Sequence, residues 1–210
     1  MRRIQLEEIQ FVMTDSGGFR VTGVDDKAVE VQVPLIDVRA AVVPPKPERP
    51  GYYLILSMLL DQSESGKHPL LFLGEHEDGI QSSLLKKLKD YAARLSVREV
   101  YADESNEGFF SNLWRQFKSV REVRVYRALH TADLDYGIAL VREWLEDGAL
   151  SVPKYTPTIL CRQLGSMTTE TLKLMTAIDP LRYLFSGFVN DPPSFLRSRS
   201  QEQVATNWYY

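Results

Sequence analysis

The feature that most restricts the fold of this chain is a change in hydrophobic period near residue 79. Before it, apolar residues alternate with polar ones or form short unbroken runs, which is typical of β-strands. After it, apolar residues recur every three or four positions in several stretches, which indicates amphipathic helices separated by short strands. This order requires a mixed central sheet covered by helices. The first strands pair antiparallel through short connections, and the later strands join the same sheet through helices that pack on it.

Five strands are predicted for this sheet. The first runs from Ala28 through the alternating residues 29–33, with Pro34 as a bend, and ends at Asp37. The stretch 44–51 contains four prolines, which cannot donate the hydrogen bonds of a ladder, and is predicted to be an extended loop. The other predicted strands are 52–60, 70–73, 97–102 and 123–126, and the predicted helices are 80–95, 109–117, 136–147, 158–174 and 179–188.

The length and composition predict one globular core. A chain of 210 residues with 44% hydrophobic and 25% charged residues buries enough surface to fold without a disulfide. We expect residues 1–28 to form an N-terminal arm or extra strands, residues 29–190 the main domain, and residues 191–210 a tail. The single cysteine, Cys161, is expected to be a small core residue in a reducing compartment.

Charge and hydropathy restrict the surroundings and partners of the protein. The charged start of the chain is unlike a signal peptide, and no run is long enough to span a bilayer, so we expect an intracellular protein without a membrane anchor. The net charge of -3 does not favour nucleic acid overall. Binding to DNA would therefore need local basic patches. The densest cluster, a weak candidate for contacts to phosphates, is Arg115, Lys118, Arg121, Arg124 and Arg127.

Acidic residues stand where three of the predicted elements end or begin. Asp37 ends the first strand, Asp103 and Glu104 follow the fourth, and Asp179 enters the last helix. Two divalent ions about 3.5 to 4 Å apart can activate water and stabilise the leaving oxygen of a phosphodiester, and they need several carboxylate ligands. These residues are the candidate catalytic set, with Asp37, Asp103 and Asp179 as metal ligands if the first and fourth strands are neighbours. The choice between Asp103 and Glu104 stays open, because adjacent strand residues face opposite sides.

Three segments resemble the nuclease domain of viral large terminases, a branch of the ribonuclease-H-like superfamily. Residues 35–40 and 52–55 are similar to its first-strand signature, a strand-end aspartate followed by a loop and an apolar strand. Residues 100–108 resemble the segment that supplies its second metal ligand, and residues 177–183 resemble its closing motif around Asp179, Arg182 and Tyr183. The resemblance covers residues 33–188 and implies an α/β, ribonuclease-H-like mixed sheet of about five strands, the first three antiparallel, flanked by helices.

The resemblance implies a metal-dependent endonuclease. It would use two Mg²⁺ or Mn²⁺ ions to cut double-stranded viral DNA during genome packaging, in the cytoplasm of a bacterial host. A phosphate-binding Gly-x-x-x-x-Gly-Lys-Ser/Thr motif does not occur in the sequence. Either a separate subunit drives packaging, with a packaging ATPase, a portal or a small terminase subunit as expected partners, or this is an excised or free-standing domain.

Two other functions remain open. The chain has Gly51 or Tyr52 where the family commonly has a further aspartate, Thr176 where its histidine usually stands, and Pro180 in place of an alanine. The first two departures favour, as the main alternative, a catalytically inactive ribonuclease-H-like module that serves DNA binding or assembly in a packaging machine. Proline in the first turn of a helix is well tolerated. The third possibility is a nuclease of another branch of the fold, such as a resolvase.

Overall fold

The computed structural model describes residues 10–13, 19–22, 28–31, 35–59, 70–103, 106–120, 123–128, 134–147, 150–151, 158–166 and 176–190. These residues form nine strands and five helices. The predicted tail, residues 191–210, lies outside the described residues, and the division of the chain into arm, domain and tail stays a prediction.

The N-terminal strands form a sheet of their own. Strands β1 (Gln10–Met13), β2 (Phe19–Thr22) and β3 (Ala28–Val31) pair antiparallel in that order. The prediction of one strand from Ala28 to Asp37 was therefore wrong. A new strand starts at Leu35, directly after Pro34, and Ala28–Val31 belongs to the N-terminal sheet.

The central sheet is mixed, as predicted. Its order is β8-β7-β4-β5-β6-β9; β4, β5 and β6 are antiparallel neighbours, whereas β7 is parallel to both β4 and β8. The predicted first and fourth strands, β4 and β7, are therefore adjacent. The sixth strand, β9, has only two residues, parallel to the start of β6. The strands are β4 (Leu35–Val43), β5 (Gly51–Leu59), β6 (Leu70–Asp78), β7 (Glu99–Asp103), β8 (Arg124–Ala128) and β9 (Leu150–Ser151).

Helices cover both faces of the central sheet. One face packs against α1 (Gln81–Arg94) and α2 (Glu107–Phe117). The other packs against α3 (Leu134–Glu146), α4 (Ile159–Gly165) and α5 (Ile178–Asn190). The predicted helices are confirmed at these places, although the one expected over 158–174 is described only as far as residue 166.

Strand β4 lies in the middle of this arrangement because it is apolar on both faces. Ala40 and Val42 pack on the α1 and α2 side, whereas Ala41 and Val43 pack on the α3 to α5 side. All four are at most 1% exposed, which is typical of a strand covered by helices on both faces.

Helix α5 lies close to the sheet at a glycine. A Cβ atom at Gly187 would lie 2.6 Å from Cζ of Tyr101 on β7, so only glycine allows this approach. The contact holds the last helix against the strand that ends in Asp103. Among the described residues, no helix is both long enough and apolar enough to cross a membrane.

Candidate metal centre

Asp103 lies where β7 ends, beside the end of β4. The parallel register pairs Val42 with Ala102, and Val43 and Asp103 are the next residues of the two strands. Both side chains are buried, at 1% and 2% exposure. Asp103 is thus at a strand end, as predicted, but its neighbour on the first strand of the sheet is apolar.

Asp179 lies in the first turn of α5, near the same end of the sheet. Its carboxylate accepts a hydrogen bond from Nη2 of Arg182 at 3.2 Å and forms an ion pair with Nη2 of Arg49 at 3.6 Å. Burial raises the pKa of the Tyr183 phenol, and the negative charges of Asp179 and Asp103 raise it further. Both carboxylates therefore act on one buried phenol, and the structure brings Asp103 and Asp179 into the same neighbourhood.

Asp37 lies at the opposite end of the sheet. It is the third residue of β4, two positions before Arg39, which pairs with Glu99 at the start of β7. Six residues of strand separate Asp37 from the position beside Asp103, which corresponds to about 20 Å. The structure therefore does not bring Asp37 together with Asp103 as expected, although their two strands are neighbours as the prediction required.

A buried ion pair explains how Asp37 can lie inside a strand. Its Oδ2 atom lies 2.7 Å from Nη2 and 2.8 Å from Nε of Arg39, and the two side chains are 7% and 3% exposed. Residues two apart on a strand point to the same face, so the guanidinium neutralises the carboxylate locally. The sequence shows the Asp-x-Arg spacing, but the predicted strand ended before Arg39 and gave this pair no structural context.

The other predicted site residues are the five basic residues of the cluster and Glu104. Arg115 and Lys118 are exposed on and just after α2. On β8, Arg124 pairs with Glu99 at 2.8 Å, and Arg127 donates two hydrogen bonds to Glu107, at 2.6 and 2.9 Å. Glu104 and Arg121 lie outside the described residues. All four described residues of the basic cluster are therefore exposed, and carboxylates engage two of them, Arg124 and Arg127.

Two glutamates of β6 that the sequence did not single out lie near the starts of α4 and α5. Glu75 accepts hydrogen bonds from Tyr52 at 2.5 Å and from the backbone N–H groups of Ile159 and Leu160. Glu77 accepts one from Thr176, which in turn accepts one from Gln163. Both glutamates were missed because β6 was predicted to end at residue 73, whereas pairing with β5 extends it to Asp78.

Three viral proteins are among the solved structures that match this chain. The nuclease domain of the large terminase of bacteriophage SPP1, solved with bound Mn, matches with a TM-score of 0.52 and 15% identity over 75% of this chain and 88% of that domain. The human cytomegalovirus terminase nuclease domain, Mn-soaked and with bound inhibitor, matches with a TM-score of 0.49 and 10% identity over 75% of this chain and 84% of that one. The fowlpox virus Holliday junction resolvase matches with a TM-score of 0.41 and 9% identity over 73% and 98%.

These likenesses concern the fold. The sequence matches no protein-family model and no curated protein. The predicted α/β, ribonuclease-H-like architecture is confirmed, and the chain folds like the nuclease domain of the SPP1 large terminase.

The described residues do not fit a two-metal site. No group of three or more His, Cys, Asp or Glu side chains among them could hold a metal ion. Asp103 and Asp179 would supply two carboxylates, but Val43 offers no ligand atom, and two guanidinium groups already contact Asp179. Divalent ions of this class need several oxygen ligands. No metal-dependent step follows from this arrangement.

Proposed function

We propose that this chain, which has the fold of a terminase nuclease domain, is a module that binds duplex DNA without cutting it. The observation that carries the proposal is the buried Val43, which lies beside Asp103 at the end of β4, whereas Asp37, the first-strand aspartate of the resemblance, lies near the other end of that strand. The setting we propose is viral genome packaging in a bacterial host, next to a separate packaging ATPase, portal or small terminase subunit.

The chemistry of cleavage supports this proposal. Two divalent ions stabilise the attacking and leaving oxygens of a phosphodiester only if carboxylates hold both ions in place. An isopropyl side chain cannot coordinate either ion, and Asp37 is about 20 Å away along the strand and paired to Arg39. Among the residues that the structure describes, the first strand therefore supplies no carboxylate that could bridge two ions beside Asp103.

The binding surface that we propose begins at the outer side of α2. Arg115 and Lys118 are exposed there, and the Lys118 ammonium lies 5.3 Å from the centre of the Trp114 ring, which is 50% exposed. Cationic side chains neutralise DNA phosphates and release counterions, and aromatic rings add contact area. This surface compensates locally for the negative net charge of the chain.

The rival function is the metal-dependent endonuclease, with Mg²⁺ or Mn²⁺ as cofactor. The observation in its favour is that Asp103 and Asp179 both act on Tyr183 and so share one neighbourhood. A single ion held by these two carboxylates would be the remaining route to cleavage.

Supercoiled plasmid distinguishes the two functions. We expect no nicking by the wild type with 5 to 10 mM Mg²⁺ or Mn²⁺, quantities on the order of those used to saturate weak magnesium sites. The Asp179→Asn variant serves as the matched control and should give the same result. Mn²⁺-dependent nicking that disappears in Asp179→Asn would establish the endonuclease instead.

Fluorescence anisotropy with a labelled duplex tests the binding function. We expect binding that weakens as salt rises. The Arg115→Gln, Lys118→Gln double variant should bind about tenfold more weakly because it loses phosphate contacts, and each lost contact should also lower the slope of log affinity against log salt by about one unit. Arg162→Gln is the control, since Arg162 is exposed on α4, on the other face of the sheet. Equal losses in both variants, or no binding at low salt, would contradict the proposed surface.

A further inference from the structure

The carboxylate of Asp179 lies between two guanidinium groups from different parts of the chain. Arg182 is one turn further along α5, whereas Arg49 comes from the connection between β4 and β5. The three side chains are 4% to 15% exposed, so the charges are largely shielded from water. In such a place the charge of a carboxylate needs a nearby counter-charge.

A tight turn sets the position of Arg49. The backbone N–H of Lys46 donates to the carbonyl of Arg49 at 2.8 Å, and the reverse bond measures 3.2 Å, which closes a turn with Pro47 and Glu48 at its tip. Proline fixes its own backbone angle and lowers the entropy that is lost when the turn forms. The proline-rich segment is thus an ordered hairpin end that presents a cation to the start of α5.

The same hairpin end lacks the ligand that a metal ion would need. The strand leading into it ends in Val43, Pro44 and Pro45, none of which carries an oxygen in its side chain. The first strand of the sheet thus contributes no carboxylate at this end, and its connection contributes a guanidinium. The missing carboxylate and the added guanidinium both make the local charge more positive.

We propose that Arg49 and Arg182 take the electrostatic place of a divalent cation in this centre. The inference rests on the proposed function, because it requires that the acidic centre not be used for metal-dependent cleavage. The Arg182 guanidinium donates a hydrogen bond to Oδ1 of Asp179, and the Arg49 guanidinium forms an ion pair with Oδ2 at 3.6 Å. Both cations thus face oxygens that a metal would otherwise coordinate. The arginines stabilise the acidic end of α5 permanently, where a metal would do so reversibly.

The two arginines join separate elements through one carboxylate. Arg182 holds Asp179 within α5, and Arg49 ties the β4–β5 connection to that helix. The stability of the folded protein should therefore be independent of divalent ions. It should become dependent on them only when the counter-charge from Arg49 is removed.

Thermal unfolding of the full chain, without DNA, tests this inference. The melting temperature of the wild type should be the same in EDTA and in millimolar Mn²⁺. Arg49→Gln should lower it by about 2 to 4 °C in EDTA. Mn²⁺ should restore part of that loss by taking the place of the Arg49 cation beside Asp179. Arg49→Lys keeps the charge and should remain insensitive to Mn²⁺.

The double variant Arg49→Gln, Asp179→Asn supplies the remaining control. It should show no response to Mn²⁺, because the carboxylate that would bind the ion is gone. A wild type that Mn²⁺ stabilises through Asp179 would overturn the inference, as would an Arg49→Gln variant that Mn²⁺ fails to restore. Neither result depends on DNA binding or cleavage, so failure here is distinct from failure of the proposed function.

Discussion

Replacing Arg39 with methionine should destabilise the folded protein by about 3 to 5 kcal/mol, the usual cost of removing one partner from a buried ion pair. Arg39 is 2% exposed and pairs with both Asp37 and Glu99, which are 6% and 2% exposed. Methionine fills a similar length of the cavity but leaves two buried carboxylates without this guanidinium. Urea unfolding followed by circular dichroism measures the loss.

The network around Arg39 explains the size of this effect. Burial acts to lower the pKa of Arg39, but the hydrogen bond to Asp37 and the charges of Tyr101, Asp37 and Glu99 raise it above its usual value. Tyr101 donates to Glu99 at 2.7 Å and accepts from Arg39 at 3.1 Å, and the guanidinium lies 4.7 Å from the centre of the Phe188 ring. The cation therefore connects β4, β7 and α5 at one point.

Arg124 provides the matched control for this prediction. It contacts the same Glu99 at 2.8 Å, but its side chain is 65% exposed. Water screens the charge of the exposed Arg124, and Glu99 keeps Arg39 as its buried counter-charge, so Arg124→Met should lower the free energy of unfolding by only about 0 to 1 kcal/mol. Similar losses in Arg39→Met and Arg124→Met would contradict the buried position of Arg39.

Substituting Gly137 with alanine should have the second largest effect, a loss of about 1 to 3 kcal/mol from overpacking. A Cβ atom at Gly137 in α3 would lie 2.1 Å from both Cγ and Cδ of Arg182. Arg182 is 3% exposed and would have to move away from Asp179 to make room. The substitution therefore acts on the acidic centre through helix packing.

Gly108 in α2 is the control for the helical context. A Cβ atom there meets only Oδ1 of Asn106, at 3.8 Å, an ordinary contact distance. Alanine favours helix over glycine by up to about 1 kcal/mol, so Gly108→Ala should leave stability unchanged or raise it. If Gly137→Ala were also neutral or stabilising, the close packing of α3 against Arg182 would be wrong.

The sequence predicted most elements of the fold because hydrophobic period is a local property. The spacing of Leu84, Leu88 and Ala92 predicted α1, and all three side chains are buried. The strand ending in Asp103 and the helix beginning near Asp179 were predicted in the same way. Strand β4 was predicted poorly, since a strand buried on both faces has no alternation to mark its end.

Some positions in the candidate site could be predicted from the local sequence pattern, and others could not. By itself, the sequence determined the order of strands and helices, and with it the fold and the positions of Asp103 and Asp179 near element ends. Tertiary structure alone decided that Asp37 lies at the far end of the sheet and that Val43 stands beside Asp103, because the register between β4 and β7 depends on contacts between residues about sixty positions apart. The pairing of Arg49 with Asp179 is likewise a long-range contact, set by the packing of a hairpin end against a helix that follows it by about 130 residues.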